Sequence, residues 1–265
     1  MTTDTIPLWK DAAPGALGSA PTDIPTLTRH AAANPNGATM LIVPGGGYCS
    51  LTGHEGAGFA PWFTQRGITS FVLTYRLASN GYRHPCMMLD VLRAMRLVRH
   101  LARKEGRDPS RAGIIGCSAG GHLASTALTH YDAGRPGGDD PVERESARPD
   151  LGVLCYPVIS CGTSAAHAGS MDNLLGPNPP ADLAWQMSTE TQVTPQTPPT
   201  FLWHTLEDPV VSVENSMLFA NALRRASVPF ALHVFEKGGH GLGMLPGSPP
   251  WTVCLEGWLR ERKFV

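Results

Sequence analysis

A serine flanked by glycines lies near the middle of the sequence, and its type and spacing suit nucleophilic catalysis. The segment Gly116-Cys117-Ser118-Ala119-Gly120 has the pattern G-x-S-x-G, which in a tight strand-to-helix turn lifts a serine hydroxyl clear of a sheet. Glycines at both ends let the strand and the helix pass close together. The turn also places the N–H of Ala119 at a helix N-terminus, where developing negative charge is stabilised. We therefore interpret Ser118 as a nucleophile and Ala119 as one oxyanion donor.

The residues on both sides of Ser118 favour this turn over a chance match. Residues 112–116 form a short apolar run after a turn-like segment, which predicts a buried strand. Residues 119–131 are rich in Ala, Leu and His and contain no proline, which is typical of a helix. A cysteine nucleophile would have to stand at the elbow itself, and Cys117 is one residue early.

A second glycine cluster follows an apolar run that is typical of a central strand. Residues 39–43 read Thr-Met-Leu-Ile-Val and lead into Pro-Gly-Gly-Gly-Tyr at 44–48. Consecutive glycines leave backbone N–H groups uncovered and adopt conformations barred to other residues. At the end of an early strand such a loop can supply the remaining oxyanion donors, which we assign to Gly46 and Gly47. The alternatives are a flexible turn or a phosphate loop, but no Gly-Lys-Ser/Thr follows.

Two later segments contain the acid and the base that a serine nucleophile requires. His240 is surrounded by glycines after the last predicted strand, so it has little packing to do, and an imidazole pKa near ~6.5 suits general base catalysis. Asp208 follows the predicted strand 200–204 and can orient that imidazole, with Glu207 as the fallback. The order Ser118, Asp208, His240 is that of α/β-hydrolases rather than of chymotrypsin-like or subtilisin-like enzymes.

Length and hydrophobic patterning predict one α/β domain. A chain of 265 residues with 42% hydrophobic content can bury a sizeable core, and no linker divides it. We expect residues 1–265 to form a single α/β-hydrolase domain with a central, mostly parallel sheet, helices on both faces and no large N-terminal cap. Residues 161–199 are rich in proline and small polar residues, and they predict a long insertion that forms a lid or a wall of the binding cleft.

Several local predictions concern packing around this core. Residues 23–30 alternate apolar and polar side chains, as an edge strand would, and residues 132–150 are typical of an exposed loop. Arg76 and Asp90 are candidates for a buried structural ion pair. The helix that follows Asp90 has apolar residues at helical spacing. Its arginines are expected to face solvent: Arg93, Arg96, Arg99 and Arg103.

Charge and composition exclude several classes of partner. The formal net charge is −1, from 21 basic and 22 acidic residues without long runs of either sign, so nucleic acid and membrane are not expected partners. The chain starts without the basic and apolar regions of a signal peptide, and no run approaches the ~18 apolar residues of a membrane span, so we expect a cytoplasmic protein. Six cysteines without C-x-x-C spacing argue against a zinc site. We expect no metal or organic cofactor, and the oligomeric state stays open.

Six motifs carry a resemblance to a known family. In chain order they are Pro-Gly-Gly-Gly-Tyr (44–48), His-Glu-Gly (54–56), Tyr-Arg-Leu (75–77), Gly-Cys-Ser-Ala-Gly-Gly-His-Leu-Ala (116–124), His-Thr-Leu-Glu-Asp (204–208) and Gly-Gly-His-Gly (238–241). Together they resemble α/β-hydrolase esterases of the acetylxylan esterase and feruloyl esterase type, distant relatives of hormone-sensitive-lipase-like esterases. Within these motifs Tyr48, His54, Glu55 and His122 are weaker candidates for substrate contacts, and helix capping is the alternative for Glu55.

The resemblance implies a serine carboxylic-ester hydrolase that acts through an acyl-enzyme. The lipase-like branch usually has His where this chain has Pro44, and its cap helices have no counterpart before Thr39. Short acyl groups such as acetyl are therefore expected, on small-molecule or oligosaccharide esters such as acetylated xylo-oligosaccharides taken into the cell. The alternatives are a feruloyl esterase, an arylformamidase-like amidase, and a non-catalytic binding module on a hydrolase scaffold.

Overall fold

A twisted β-sheet forms the centre of the fold, which the computed structural model describes for residues 3–265. Its eight strands are β1 (Thr3–Pro7), β2 (Thr26–His30), β3 (Thr39–Val43), β4 (Thr69–Thr74), β5 (Ala112–Cys117), β6 (Leu151–Cys155), β7 (Thr200–Thr205) and β8 (Phe230–Phe235). The strand order is β1-β2-β4-β3-β5-β6-β7-β8. The pairs β1–β2 and β2–β4 are antiparallel, and the other neighbours are parallel. This sheet confirms the predicted fold class.

Helices cover both faces of the sheet. They are α1 (Ala60–Thr64), α2 (Cys86–Lys104), α3 (Ser118–Thr129), α4 (Ala168–Leu175), α5 (Ala181–Met187), α6 (Glu214–Arg225) and α7 (Trp251–Glu261). One core joins α2, α3 and α6 to one face of the sheet, and a second core joins α1 and α7 to the other. Alternate residues of β3 divide between them, Leu41 and Val43 in the first and Met40 and Ile42 in the second, because successive side chains of a strand point to opposite faces. Within residues 3–265, none of the helices combines the length and the apolar character that crossing a membrane requires.

The N-terminal edge of the sheet differs from the prediction. The predicted edge strand in residues 23–30 is present as β2 from Thr26 onward, but it lies between β1 and β4. The edge is formed by β1, whose sequence Thr-Asp-Thr-Ile-Pro has one apolar side chain in a strand-like position and therefore little periodic signal. Its last residue, Pro7, suits an edge because an edge strand needs fewer backbone donors.

The arginines of α2 are the second correction. Arg93, Arg96 and Arg99 are only 5%, 5% and 8% exposed, and of the four arginines only Arg103 has a largely exposed side chain. The buried three form ion pairs with acidic residues of the segment 132–150: Arg93 with Asp140 and Glu143, Arg96 with Asp132 and Glu143, and Arg99 with Asp150. That segment therefore folds over α2, because a guanidinium tolerates burial when carboxylates pair with it.

The predicted ion pair between Arg76 and Asp90 is confirmed. Both side chains have no exposed surface, and Arg76 Nη2 lies 2.7 Å from Asp90 Oδ1. The backbone N–H of Arg76 donates to Asp90 Oδ2 at 3.0 Å, and Nη1 donates to the carbonyl of Pro14 at 2.8 Å. The pair thus joins the end of β4 and the N-terminal segment to α2.

We expect the substitution Asp90→Asn to lower the free energy of unfolding by about 3–5 kcal/mol, because it leaves the buried guanidinium of Arg76 without a counter-charge. Urea denaturation followed by circular dichroism measures this. Glu261→Gln is the matched control, since Glu261 is 76% exposed and pairs with Arg262 at 3.7 Å, and it should change the stability by less than about 0.5 kcal/mol. A D90N variant as stable as the wild type would contradict the assignment.

Candidate active site

Ser118 occupies a strained turn between β5 and α3. It is the first residue of the helix and has φ +52°, a left-handed conformation that is uncommon for a residue with a side chain. A Cβ on Gly116 would lie 2.1 Å from the carbonyl oxygen of Gly120, and a Cβ on Gly120 would lie 2.3 Å from that of Val43. Only glycine fits at either position. This close approach of strand and helix is the reason for the two glycines of the G-x-S-x-G pattern, as the sequence predicts.

The structure brings Ser118, Asp208 and His240 together in one hydrogen-bonded chain. Nε2 of His240 lies 2.8 Å from Ser118 Oγ, and Nδ1 of His240 lies 2.7 Å from Asp208 Oδ2. The carboxylate can only accept, so Nδ1 carries the proton and Nε2 accepts from the hydroxyl of Ser118. This is the tautomer in which an imidazole can remove the serine proton. Glu207, the fallback for Asp208, is instead half exposed and pairs with Lys237.

The carboxylate of Asp208 is held in its ionised form. Its Oδ1 accepts the backbone N–H groups of Val210 and Val211, both at 2.9 Å. Burial raises the pKa of Asp208, but the hydrogen bonds from His204, His240 and the two backbone N–H groups outweigh it and hold the pKa below its ordinary value. A permanently charged Asp208 can therefore stabilise an imidazolium at His240.

His204 is a functional candidate that sequence reasoning missed. It is fully buried in β7, and its Nε2 lies 2.9 Å from the carbonyl of Val211 and 3.3 Å from Asp208 Oδ2. Its Nδ1 faces the hydroxyl of Ser216 at 2.8 Å. Nε2 faces two acceptors and therefore carries the proton, so His204 is a second donor to the acid. The available signal was its position four residues before Asp208, at the end of a strand.

The glycine loop after β3 lies directly beside the nucleophile. A Cβ on Gly45 would be 3.1 Å from Ser118 Cβ, and Gly46 and Gly47 have φ values of +125° and +62°. Among residues 3–265, no protein acceptor takes a hydrogen bond from the N–H of Gly46, Gly47 or Ala119. These three N–H groups are therefore free to bind an oxyanion, and their assignment as its donors stays a prediction.

The insertion 161–199 contacts this loop through α4. The side-chain amide of Asn173 donates to the carbonyl of Gly47 at 2.7 Å. Ser170 of the same helix is close to Gly47 as well, since a Cβ on that glycine would lie 3.9 Å from Ser170 Oγ. The insertion thus forms part of the wall of the candidate site. No motif marks Asn173, because its role depends on a contact between residues 126 positions apart.

His167 precedes α4 and lies near the triad. Its Nδ1 accepts from the N–H of Ser170 at 3.2 Å and faces the hydroxyl of the same residue at 2.8 Å, so its proton is on Nε2. Burial and the charge of His240 lower the pKa of His167, while Asp208 raises it. His167 is therefore a neutral imidazole that presents an N–H donor, and sequence reasoning did not select it.

Tyr48 and His122 do not face a substrate. Both have no exposed surface. The hydroxyl of Tyr48 donates to His122 Nδ1 at 2.7 Å, and His122 Nε2 donates to the carbonyl of Met187 at 2.7 Å. The prediction that these two side chains contact substrate is wrong, because they connect the glycine loop, α3 and the insertion inside the protein. Burial of a polar pair depends on tertiary packing and has no local sequence signal.

His54 and Glu55 also have internal partners. Glu55 is 2% exposed, its Oε2 accepts the N–H of Gly45 at 3.0 Å, and its Oε1 accepts the hydroxyl of Tyr156 at 2.7 Å. A substrate contact by Glu55 is therefore wrong, and so is helix capping, since the helix that follows, α1, has Phe59 at its N-cap and no side-chain cap. His54 is half-buried, and its Nε2 lies 2.8 Å from the carbonyl of Gly241.

Cys117 cannot replace Ser118 as the nucleophile. It is 1% exposed at the end of β5, and burial raises the pKa of its thiol well above the ordinary value. A thiol that stays protonated and buried is a poor nucleophile. The structure thus agrees with the prediction that Cys117 lies one residue too early.

Comparison with known proteins identifies relatives of the chain. The model of the family BD-FAE matches residues 27–223. The chain is 43% identical over 205 residues to an endo-1,4-beta-xylanase B of Butyrivibrio fibrisolvens. The matched region covers 77% of this chain and 32% of that protein. It is 35% identical over 215 residues to an acetylxylan esterase of Xylanibacter ruminicola, which covers 79% of this chain and 42% of that protein. The chain therefore spans less than half the length of these relatives.

One solved structure matches along its full length. It is the crystal structure of an acetyl ester-xyloside bifunctional hydrolase from Caldicellulosiruptor lactoaceticus, with a TM-score of 0.92 and 44% sequence identity. The match covers 99% of this chain and 97% of that chain. A carboxylesterase from Lactobacillus plantarum has the same fold, with a TM-score of 0.78 and 22% identity over 100% of this chain and 99% of that chain.

We expect the buried His122 to make the protein sensitive to acid. Burial lowers the pKa of His122 from 6.5 to about 4, so between these values the unfolded chain binds more protons than the folded one. The contribution of the buried neutral imidazole to the stability of the folded protein is complete above pH 6.5 and is lost as the pH falls towards 4. Between pH 7 and pH 4 the free energy of unfolding should fall by about 3 kcal/mol more in the wild type than in His122→Asn, measured by urea denaturation.

His100→Asn is the control for this comparison, because His100 is partly exposed on α2. It should lose as much stability in acid as the wild type. If H122N lost that amount as well, the buried imidazole would not be the source of the acid sensitivity.

Proposed function

Since the chain belongs to the BD-FAE family, we propose that it is a serine carboxylic-ester hydrolase that removes short acyl groups, acetyl above all, from carbohydrate esters such as acetylated xylo-oligosaccharides. The observation that carries this proposal is the hydrogen-bonded chain from Ser118 through His240 to Asp208. It lies beside a glycine loop in which the N–H groups of Gly46 and Gly47 make no hydrogen bond within residues 3–265.

The proposed mechanism follows from the geometry. His240 Nε2 takes the proton of Ser118 as the hydroxyl oxygen attacks the ester carbonyl, and Asp208 stabilises the resulting imidazolium. The N–H groups of Gly46, Gly47 and Ala119 bind the carbonyl oxygen as it becomes negative, each contributing about 3 kcal/mol to the transition state. The imidazolium then protonates the leaving alcohol. Water, activated by the same imidazole, cleaves the acyl-enzyme and regenerates Ser118.

The relatives support the choice of substrate. One relative is named acetylxylan esterase, and the solved structure with 44% sequence identity is that of an acetyl ester-xyloside bifunctional hydrolase. Intracellular acetylated oligosaccharides remain our proposed natural substrates.

The proposed activity can be tested with purified protein on p-nitrophenyl acetate, acetylated xylo-oligosaccharide, methyl ferulate and N-formylkynurenine. We expect hydrolysis of the two acetyl esters and a loss of about 10⁴-fold or more in kcat for Ser118→Ala, because the variant lacks the nucleophile. A fluorophosphonate probe should label the wild type and not S118A. Faster turnover of the ferulate or formamide substrate would favour the alternative enzymes, and a folded wild type that neither turns over nor labels would favour a binding module.

We propose that His167 contacts the sugar part of the substrate. Its Nδ1 is occupied by Ser170, and no residue among 3–265 bonds to Nε2, so this N–H is available to a hydroxyl or ring oxygen near His240. Loss of one such neutral hydrogen bond corresponds to about 1 kcal/mol, or about fivefold in affinity.

The substitution His167→Phe should therefore raise KM for acetylated xylobiose about fivefold and leave kcat for p-nitrophenyl acetate within twofold of the wild type. Steady-state kinetics on both substrates measures the difference. His30→Phe is the control, because His30 pairs with Ser70 at the end of the sheet opposite the candidate site, and it should change neither substrate. An equal effect of H167F on both esters would contradict a sugar contact.

A further inference from the structure

A buried carboxylate, Glu55, lies between three segments that build the candidate site. It is 2% exposed, and each of its oxygens accepts one hydrogen bond, from the N–H of Gly45 and from the hydroxyl of Tyr156. None of the triad residues donates to it, so the mechanism described above does not use it. A carboxylate is costly to bury, so packing alone does not explain its presence at this position.

The first of these segments is the glycine loop. A Cβ on Gly45 would lie 2.5 Å from Glu55 Oε2 and 3.1 Å from Ser118 Cβ. The backbone of one glycine is thus the only separation between this carboxylate and the nucleophile on that side. The hydrogen bond to the Gly45 N–H holds the start of the loop whose next two N–H groups are the candidate oxyanion donors.

The second segment is the end of β6, where Tyr156 has φ +36°. The ring of Tyr156 meets the imidazole of His240 edge to face, with centroids 5.1 Å apart and planes at 69°. Glu55 accepts the hydroxyl of that same tyrosine at 2.7 Å. The carboxylate therefore holds the aromatic wall against which the proposed base rests.

The third segment is the loop that contains His240. The neighbour of Glu55, His54, donates from Nε2 to the carbonyl of Gly241 at 2.8 Å. A Cβ on Gly241 would lie 3.8 Å from Glu55 Oε1. The carboxylate is therefore within a few ångströms of the backbone that carries the imidazole.

We propose that Glu55 is a positioning residue for ester hydrolysis: it fixes the glycine loop and Tyr156, and its negative charge stabilises the imidazolium that forms on His240. This inference rests on the proposed function. Both oxygens act as acceptors, as an ionised carboxylate does. Burial raises the pKa of Glu55 above its ordinary value, and the hydrogen bonds from Tyr156 and Gly45 and the nearby His54 and His240 offset only part of that rise.

Other titratable groups share this environment and have to be kept constant in a test. Those coupled electrostatically or by contact to His240 or to Glu55 are Ser118, Asp208, Tyr156, His54, His167, Tyr75 and Cys117. A substitution of Glu55 by its neutral isostere leaves all of them in place. It changes only the charge and the acceptor capacity at that position.

The test is the pH dependence of kcat/KM for p-nitrophenyl acetate in Glu55→Gln. We expect kcat to fall about tenfold or more, with KM within about twofold of the wild type. The acid limb should move to lower pH by about 0.5–1 unit, because the protonated form of the essential imidazole is no longer stabilised by a nearby negative charge. Glu190→Gln is the matched control, since Glu190 is a buried carboxylate in the insertion, 8% exposed, and contacts none of the triad. It should leave the rate and the profile unchanged.

Tyr156→Phe separates the charge from the hydrogen bond. It should lower kcat about tenfold without moving the acid limb to lower pH, because the carboxylate is retained. If E55Q does not fold by circular dichroism, Y156F carries the test, and a wild-type kcat in that variant overturns the proposal.

Two results with folded E55Q also overturn it: a wild-type kcat and profile, or a lower kcat with an unmoved acid limb, which would mean that Glu55 only supports the fold. Failure of the proposed function is distinguishable from these results. In that case the wild type itself hydrolyses no ester and its Ser118 does not react with a fluorophosphonate.

Discussion

The close approach of three backbone segments at Gly116 and Gly120 is the constraint on which the candidate site depends. A Cβ on Gly120 would lie 2.3 Å from the carbonyl oxygen of Val43 and 2.4 Å from that of Pro44, so α3 begins directly against the end of β3. The glycine loop that leaves β3 therefore has to start beside Ser118. The left-handed backbone of Ser118 persists because fully buried strands on both sides hold it there. A nucleophile and a set of free N–H groups become neighbours through backbone packing alone.

Histidine side chains hold the loops that surround this contact. Each of three histidines directs Nε2 at a backbone carbonyl of another segment, which places a proton on Nε2 because a carbonyl can only accept. The pairs are His54 with Gly241, His122 with Met187 and His204 with Val211. These bonds fix the loop that contains His240, the insertion 161–199 and the turn that contains Asp208. Two carboxylates complete this arrangement: Asp208 contacts the imidazole of His240, and Glu55 lies behind the glycine loop.

Sequence reasoning reached the strands, the elbow and the three residues of the hydrogen-bonded chain because each leaves a local pattern. A buried strand is an apolar run, Ser118 stands in a fixed glycine spacing, and His240 stands among glycines with nothing to pack against. It failed where the outcome depends on residues far apart. The arginines of α2 were expected in solvent because the acidic segment that covers them is more than 35 positions away. Tyr48, Glu55 and His122 are candidates for substrate contacts because of the motifs in which they stand, and only tertiary contacts show that they pair internally. The strand β1 was missed because residues 4–7 are exposed or half-buried, and such an edge strand needs few apolar residues.

The insertion 161–199 explains why the chemistry could be inferred more readily than the substrate. The residues proposed for proton transfer lie at strand ends, where spacing is set by the sheet, but the residues that we propose face the substrate come from α4 and its preceding turn. These two functions are nevertheless coupled. Asn173 of α4 holds the carbonyl of Gly47, and Met187 of α5 accepts from His122, which binds Tyr48 of the same loop. A change in the insertion that alters the fit of a sugar therefore also acts on the loop that would bind the oxyanion. We therefore expect substrate choice and transition-state stabilisation to change together in this arrangement, because the same two helices contact the glycine loop and would line the substrate side.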